Sequence, residues 1–168
     1  MTETTLPSLT YFAAPGFQVR EISSDPAFHA AIWQWHARRP GWNPSVEAGP
    51  DEYLGDNWRN WCFFFDGEPR VCVSVEERRP YGFECHIASA PKTHPDRVRF
   101  AARWIGDLLI AQGPCCRIAT WVMKENRAAM RFNRRILDYE IEMEVEGKVW
   151  CRFGANNQRW NQKNHEQA

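Results

Sequence analysis

Several common signals are missing from this sequence. The six cysteines (Cys62, Cys72, Cys85, Cys115, Cys116 and Cys151) contain no Cys-x-x-Cys pair, and no histidine stands at a zinc-ligand spacing from another. No metal is therefore expected, and the cysteines read as reduced, mostly buried side chains. No apolar run approaches the ~20 residues of a membrane span. Met1–Pro7 is polar and no apolar h-region follows, so neither a signal peptide nor a membrane partner is expected and the protein reads as cytoplasmic. Net charge is also absent: 21 basic residues balance 21 acidic ones. That removes any global pull toward nucleic acid, but it gives little protection against self-association. No internal repeat is visible.

What is present fits one globular domain. A chain of 168 residues with 43% hydrophobic residues can bury a core. Nine Trp and ten Phe exceed what a core of this size needs, and an aromatic excess suits a buried protein interface, in a homodimer or with an assembly partner. Residues 1–15 carry no periodicity and read as a loose arm. Residues 16–153 form the domain, and the Asn-, Gln- and Lys-rich residues 154–168 read as a disordered tail.

Within the domain, Phe17–Ile22 alternates as a strand. Ser24–Asp25–Pro26 opens a helix whose stripe is Phe28, Ala31, Ile32 and Trp35. Gly41–Asn57 is a long connection. Trp61–Asp66 and Arg70–Glu77 form an antiparallel hairpin turned at Gly67–Glu68–Pro69, and Phe83–Ala90 extends it to a meander. Thr93 and Asp96 suggest a capping box for a helix over Pro95–Gln112, with its stripe at Val98, Ala101, Ile105, Leu108 and Leu109 and a second ridge at Phe100 and Trp104. A strand over Arg117–Met123 follows, then a helix from Asn126 to about Ile136, then a hairpin of Tyr139–Val145 and Lys148–Phe153. The stretch Phe83–Tyr139 is thus a βαβ crossover with an extension. Such a unit sets a helix N-terminus beside a strand end, where small anions bind.

The segment Trp121-Val122-Met123-Lys124-Glu125-Asn126-Arg127-Ala128-Ala129-Met130-Arg131-Phe132-Asn133-Arg134-Arg135-Ile136 resembles the V-x-x-x-N-x-x-A-x-x-hydrophobic-Tyr-x-Lys stretch of the Gcn5-related N-acetyltransferase (GNAT) superfamily. Asn126, Ala129 and Phe132 match its Asn, small and apolar positions, and Arg135 stands for its Lys. The resemblance covers roughly Phe17–Phe153. It implies an α/β (α+β) single domain with a mixed central sheet of about seven strands and about four helices. It also implies acetyl-CoA as co-substrate and an amine, small-molecule or protein, as acceptor.

The family's pyrophosphate motif, Arg/Gln-x-x-Gly-x-Gly/Ala, corresponds here to Arg97-Val98-Arg99-Phe100-Ala101-Ala102. Arg97 and Ala102 fit its ends, but Phe100 stands at the central glycine, and no other glycine lies between Gly82 and Gly106. The cradle is then either rebuilt around Arg97 and Arg99 or lost. The family's acid Tyr corresponds to Asn133, which cannot supply a titrating proton. The resemblance implies a base at Glu84 or His86, which share one strand face. It implies backbone contacts to the pantetheine arm at Ile87 and Ala88, and cofactor contacts at Arg97, Arg99, Ala102 and Asn126. Trp35, Trp42 and Tyr53 would shape the acceptor pocket.

Two readings follow. One is an acyl-CoA-dependent N-acyltransferase. The other is a catalytically degenerate GNAT-fold module for structure or protein binding: around Arg131, Phe132 and Ile136 the chain is similar to GNAT-like proteins of tailed bacteriophages, which implies a virion, assembly or host-interaction role. A nucleic-acid binder using Arg127, Arg131, Arg134 and Arg135 is disfavoured, because Asp138, Glu140, Glu142 and Glu144 follow closely.

Overall fold

Alternation along the strands sorts side chains onto two faces of one sheet, and every later feature depends on which face a residue takes. The structure is a computed structural model that describes residues 10–23, 28, 33–38, 58–78, 82–111, 118–135 and 139–153. The described elements run β1 (Tyr11–Ala14), β2 (Phe17–Glu21), β3 (Trp58–Phe65), β4 (Glu68–Arg78), β5 (Gly82–Ser89), α1 (Pro95–Ala111), β6 (Ile118–Met123), α2 (Arg127–Arg135), β7 (Glu140–Val145) and β8 (Lys148–Phe153). Residues 33–36 add a helical turn before β3. The strands form one sheet in the order β1-β2-β3-β4-β5-β6-β8-β7. All neighbours are antiparallel except β5 and β6, which α1 connects as a parallel crossover.

The described sheet has eight strands where about seven were expected. The extra one is β1: residues 11–14, read as part of a loose arm, pair with β2 from Tyr11↔Arg20 to Ala14↔Phe17. The hairpin turn between β3 and β4 lies at Asp66–Gly67, one residue earlier than expected. Asp66 (φ 55°) and Gly67 (φ 80°) both take the left-handed conformation that a two-residue hairpin turn needs, and Glu146 and Gly147 repeat this between β7 and β8. Glu68 and Pro69 therefore belong to β4. A register shift between Phe63 and Phe64 accommodates Pro69, which has no N–H for the ladder. The segments around Trp42 and Tyr53, the helix start at Ser24–Pro26, Cys115, Cys116, Ile136 and residues 154–168 lie outside the described residues.

One sheet face is apolar. Trp61, Phe63, Val71, Val73, Val75, Phe83, Cys85 and Ile118 meet Ala101, Ile105 and Leu109, an i, i+4, i+8 stripe on α1. Val98 and Leu108 pack at its margins, as do Phe132 of α2 and Tyr139. The ridge of Phe100 and Trp104 turns toward the β1–β3 end: Phe100 lies edge-on to Phe17 (4.6 Å between ring centroids) and Trp104 to Phe63 (5.6 Å). At 38% exposure, Phe100 caps the core from its rim.

The helix start also differs from the expected capping box. His94 precedes Pro95, and its Nδ1 accepts from the Asp96 N–H (3.3 Å), while its carbonyl accepts from the Arg97 N–H (3.0 Å). The Thr93 hydroxyl donates instead to the carbonyls of Ala90 (2.7 Å) and Arg70 (3.2 Å), pinning the β5–α1 connection to β4.

Candidate active site

The second sheet face is polar near its middle. Three cross-strand rows follow from the register. Trp58, Glu76 and Glu84 stand opposite one another on β3, β4 and β5, with Ala119 of β6 next; Asn60, Ser74 and His86 form the second row; Cys62, Cys72 and Ala88 form the third. Asn60, Ser74, Glu76, Glu84 and His86 are all buried. A buried polar group must be hydrogen-bonded or it costs stability. The Ser74 hydroxyl donates to Asn60 Oδ1 at 2.6 Å. His86 Nε2 and Glu84 Oε1 lie 2.7 Å apart, and with Glu84 ionised the imidazole is the donor. The His86 ring sits between two indoles, 5.8 Å from Trp58 and 5.1 Å from Trp121.

This pair stands where the sheet divides. Among the described residues the parallel ladder joins β5 to β6 at Phe83↔Ile118 and Glu84↔Ala119 alone. Beyond it β5 continues along β4 as far as Ser89, and β6 continues along β8 as far as Met123. His86 and Trp121 each lie two residues past the last pair and mark the opening of the split. Ile87 and Ala88 lie on its β5 wall, with Ile87 opposite Val73 and Ala88 opposite Cys72. The carboxyl ends of parallel strands are where α/β sheets take ligands.

The other expected site residues are spread apart. Trp35 packs against the cluster of Ile22, Cys62 and Cys72 on the polar face. Ala102 packs half-buried against the apolar core past the first turn of α1, while Arg97 stands in that turn. Arg97 donates to Asp66 Oδ2 at 2.6 Å and lies over the Phe65 ring, while Arg99 donates to Asp96 Oδ1 at 2.8 Å. Asp96 itself occupies the first turn, where the helix dipole favours negative charge. Both arginines are thus held by the chain's own carboxylates.

At the other helix, Asn126 is buried and its Oδ1 accepts from the Ala129 N–H at 3.1 Å, so it is the N-cap of α2. Asn133 is buried too, and a hydrogen bond joins its side chain to the Cys151 thiol. Burial raises the Cys151 pKa, against that bond and the nearby Arg134. Tyr139, whose N–H donates to the Asn133 carbonyl at 2.8 Å, has its phenol pushed well above the usual range, first by burial and then by the neighbouring thiols of Cys85 and Cys151. Burial likewise pushes Cys62 up to about 12, with Arg20 pulling the other way, and raises Cys72, where Cys62 adds to the effect and a Ser74 hydrogen bond opposes it.

Sequence reasoning placed Glu84 and His86 on one face but missed their surroundings: Trp58, Asn60, Ser74, Glu76 and Trp121. The alternation of Trp58, Asn60 and Cys62 against Trp61 and Phe63 was the available signal. Among the described residues no group of His, Cys, Asp and Glu could hold a metal ion, and no helix is long and apolar enough to cross a membrane.

No protein-family model matches the chain, and no curated protein matches its sequence. Solved structures do match. The N-acetyltransferase PseH of Campylobacter jejuni aligns with a TM-score of 0.64 at 10% identity, covering 84% of this chain and 100% of that one. The ribosomal-protein-S5-alanine acetyltransferase of Vibrio fischeri aligns with 0.63 at 14% identity, covering 88% and 98%. The GNAT domain of PAT from S. lividans aligns with 0.65 at 14% identity, covering 89% and 99%. At these identities the likeness is one of architecture. The chain therefore has the fold of the Gcn5-related N-acetyltransferases, a mixed α+β domain with an open central sheet.

Proposed function

We propose that this protein is an acyl-CoA-dependent N-acyltransferase that passes an acetyl or related acyl group to an amine. The observation that carries this reading is the buried Glu84–His86 pair at the point where β5 and β6 part. A thioester laid in the split presents its carbonyl beside a group able to take a proton. The neutral amine attacks that carbonyl, a C–N bond forms, the C–S bond breaks, and the thiolate leaves. The amine's surplus proton passes to the Glu84–His86 pair. General-base help of this kind contributes roughly 10²–10⁴-fold. Orientation of amine and thioester supplies a further part of the barrier, so a tyrosine at position 133 is not indispensable.

Two of the matched structures support this reading by what they contain: PseH was solved with acetyl coenzyme A, and so was yncA of Salmonella typhimurium, described as a putative acetyltransferase. The pantetheine arm would run along Ile87 and Ala88. The acceptor would approach from the polar face, past Trp58 and Trp121, with Trp35 behind them. At the start of α1, Asp96 and the Asp66 carboxylate on Arg97 would oppose the pyrophosphate that the family motif would place there.

The deciding experiment titrates acetyl-CoA calorimetrically and then follows thiol release with a panel of primary amines. Acetyl-CoA binding and amine-dependent thiol release are expected, and Glu84→Gln should lower the thiol release without weakening the binding. Absence of heat and of any thermal shift with acetyl-CoA would sink the reading.

A further inference from the structure

We propose that the arginine face of α2 is the phosphate-binding surface of this protein, taking the nucleotide bisphosphate end of the acyl donor in place of the start of α1. This rests on the acyl-CoA reading. Lys124, Arg127, Met130, Arg131, Arg134 and Arg135 line a cleft of about 440 Å³. Arg127, Arg131, Arg134 and Arg135 fall at i, i+4, i+7 and i+8, which puts four guanidinium groups on one stripe. Like charges at these spacings destabilise a helix, and Arg127 stands at the N-terminal end, where the dipole disfavours a cation. Among the described residues no carboxylate pairs with these four arginines; Lys124 alone is paired, with Glu144 at 2.6 Å. A stripe of like charges that no carboxylate among the described residues engages suits an external polyanion.

The contrast with α1 indicates which anion surface is available. There Arg97 and Arg99 each donate to a carboxylate, of Asp66 and Asp96, whose negative charge opposes an incoming phosphate. On α2 no carboxylate among the described residues engages the four arginines. Position agrees: Lys124 and Arg127 follow directly on the carboxyl end of β6, one wall of the split. A donor whose thioester lies beside His86 leaves the split at that end and meets the cleft. Met130 offers an apolar contact for a purine among the cations. Planar guanidinium groups bind phosphate oxygens in pairs, which favours a ligand with several phosphates.

The test compares wild-type protein, Arg127→Gln/Arg131→Gln and Arg97→Gln/Arg99→Gln as full chains. Each is titrated with acetyl-CoA, dephospho-CoA and adenosine 3′,5′-bisphosphate, and assayed with acetyl-pantetheine, which lacks the nucleotide. All four arginines are exposed or half-exposed, so both variants should fold, and far-UV dichroism checks this. The α2 variant is expected to bind acetyl-CoA and the bisphosphate roughly 10- to 100-fold more weakly per lost contact while keeping its rate with acetyl-pantetheine. The α1 variant is expected to change binding little. Acetyl-CoA binding that depends on Arg97 and Arg99 and ignores the α2 change overturns the proposal and leaves acyl transfer standing. Wild-type protein that binds the bisphosphate through α2 but never acetyl-CoA sinks acyl transfer and keeps the phosphate surface. A single-stranded oligonucleotide that binds α2 more tightly than the bisphosphate at equal salt overturns the proposal in favour of nucleic acid.

Discussion

The two faces of the sheet are built from the same strands by opposite rules. The face under α1 and α2 is a continuous apolar layer in which Phe63, Val71, Val73 and Leu109 exclude water completely or nearly so. The other face, one residue away along each strand, buries Asn60, Ser74, Glu76, Glu84 and His86. The first face gains stability from area and close packing. The second gains little, because each buried polar group exchanges water for a protein partner at a small net profit. A polar row kept inside a protein at such cost is a candidate for chemistry.

Substitutions separate the two faces. The largest stability effect belongs to the apolar one: Phe63→Ala should lose about 3–5 kcal/mol by denaturant unfolding, since transfer and cavity costs add. On the polar face, Glu84→Gln keeps an acceptor for His86, so stability should change by less than about 1.5 kcal/mol. Its acyl-transfer rate should nonetheless fall roughly 10²-fold or more. A Glu84→Gln protein that turns over normally would move the chemistry away from this face. Ser74→Ala strips Asn60 Oδ1 of its donor inside the protein and should cost about 1–3 kcal/mol, visible as a lower denaturation midpoint with an unchanged slope.

The smallest effect is a pH dependence. Cys62 is raised from 9.0 to about 12 by burial. Above pH 9 the unfolded chain releases this proton and the folded chain retains it, so the folded state binds more protons and stability falls as pH rises through that window. Below pH 9 the thiol is neutral in both states and contributes no slope. Cys72 and Tyr139 are raised for the same first reason and act in the same direction. Cys62→Ala should flatten the alkaline decline by at most about 1.4 kcal/mol per pH unit. An unchanged slope would show that Cys62 ionises as freely in the fold as out of it.

Most of the architecture was legible because strands and helices announce themselves by period. Val71, Val73 and Val75 alternate, and Ala101, Ile105 and Leu109 repeat every turn, so both elements and their buried faces followed directly. The hairpin turn was misplaced because Gly67–Glu68–Pro69 looks like punctuation, whereas the left-handed pair is Asp66–Gly67 and a bulge absorbs the proline. Strand β1 was missed because four residues carry too little period to distinguish from an arm. At the site, Glu84 and His86 share a face by simple alternation. Their partners on β3, β4 and β6 depend on register, which no local pattern specifies.

The split between β5 and β6 also fixes where this sheet is soft. Every other neighbouring pair of strands shares at least four registered positions, and β3–β4 and β4–β5 share eight each. Among the described residues the β5–β6 junction has two. The sheet is mechanically two plates, five strands and three, sewn together by a short seam at Phe83–Ile118 and Glu84–Ala119. Its compliance is concentrated along that line, so a torsion that would tear four or more ladder positions anywhere else disturbs two here, and Glu84 sits on the hinge itself.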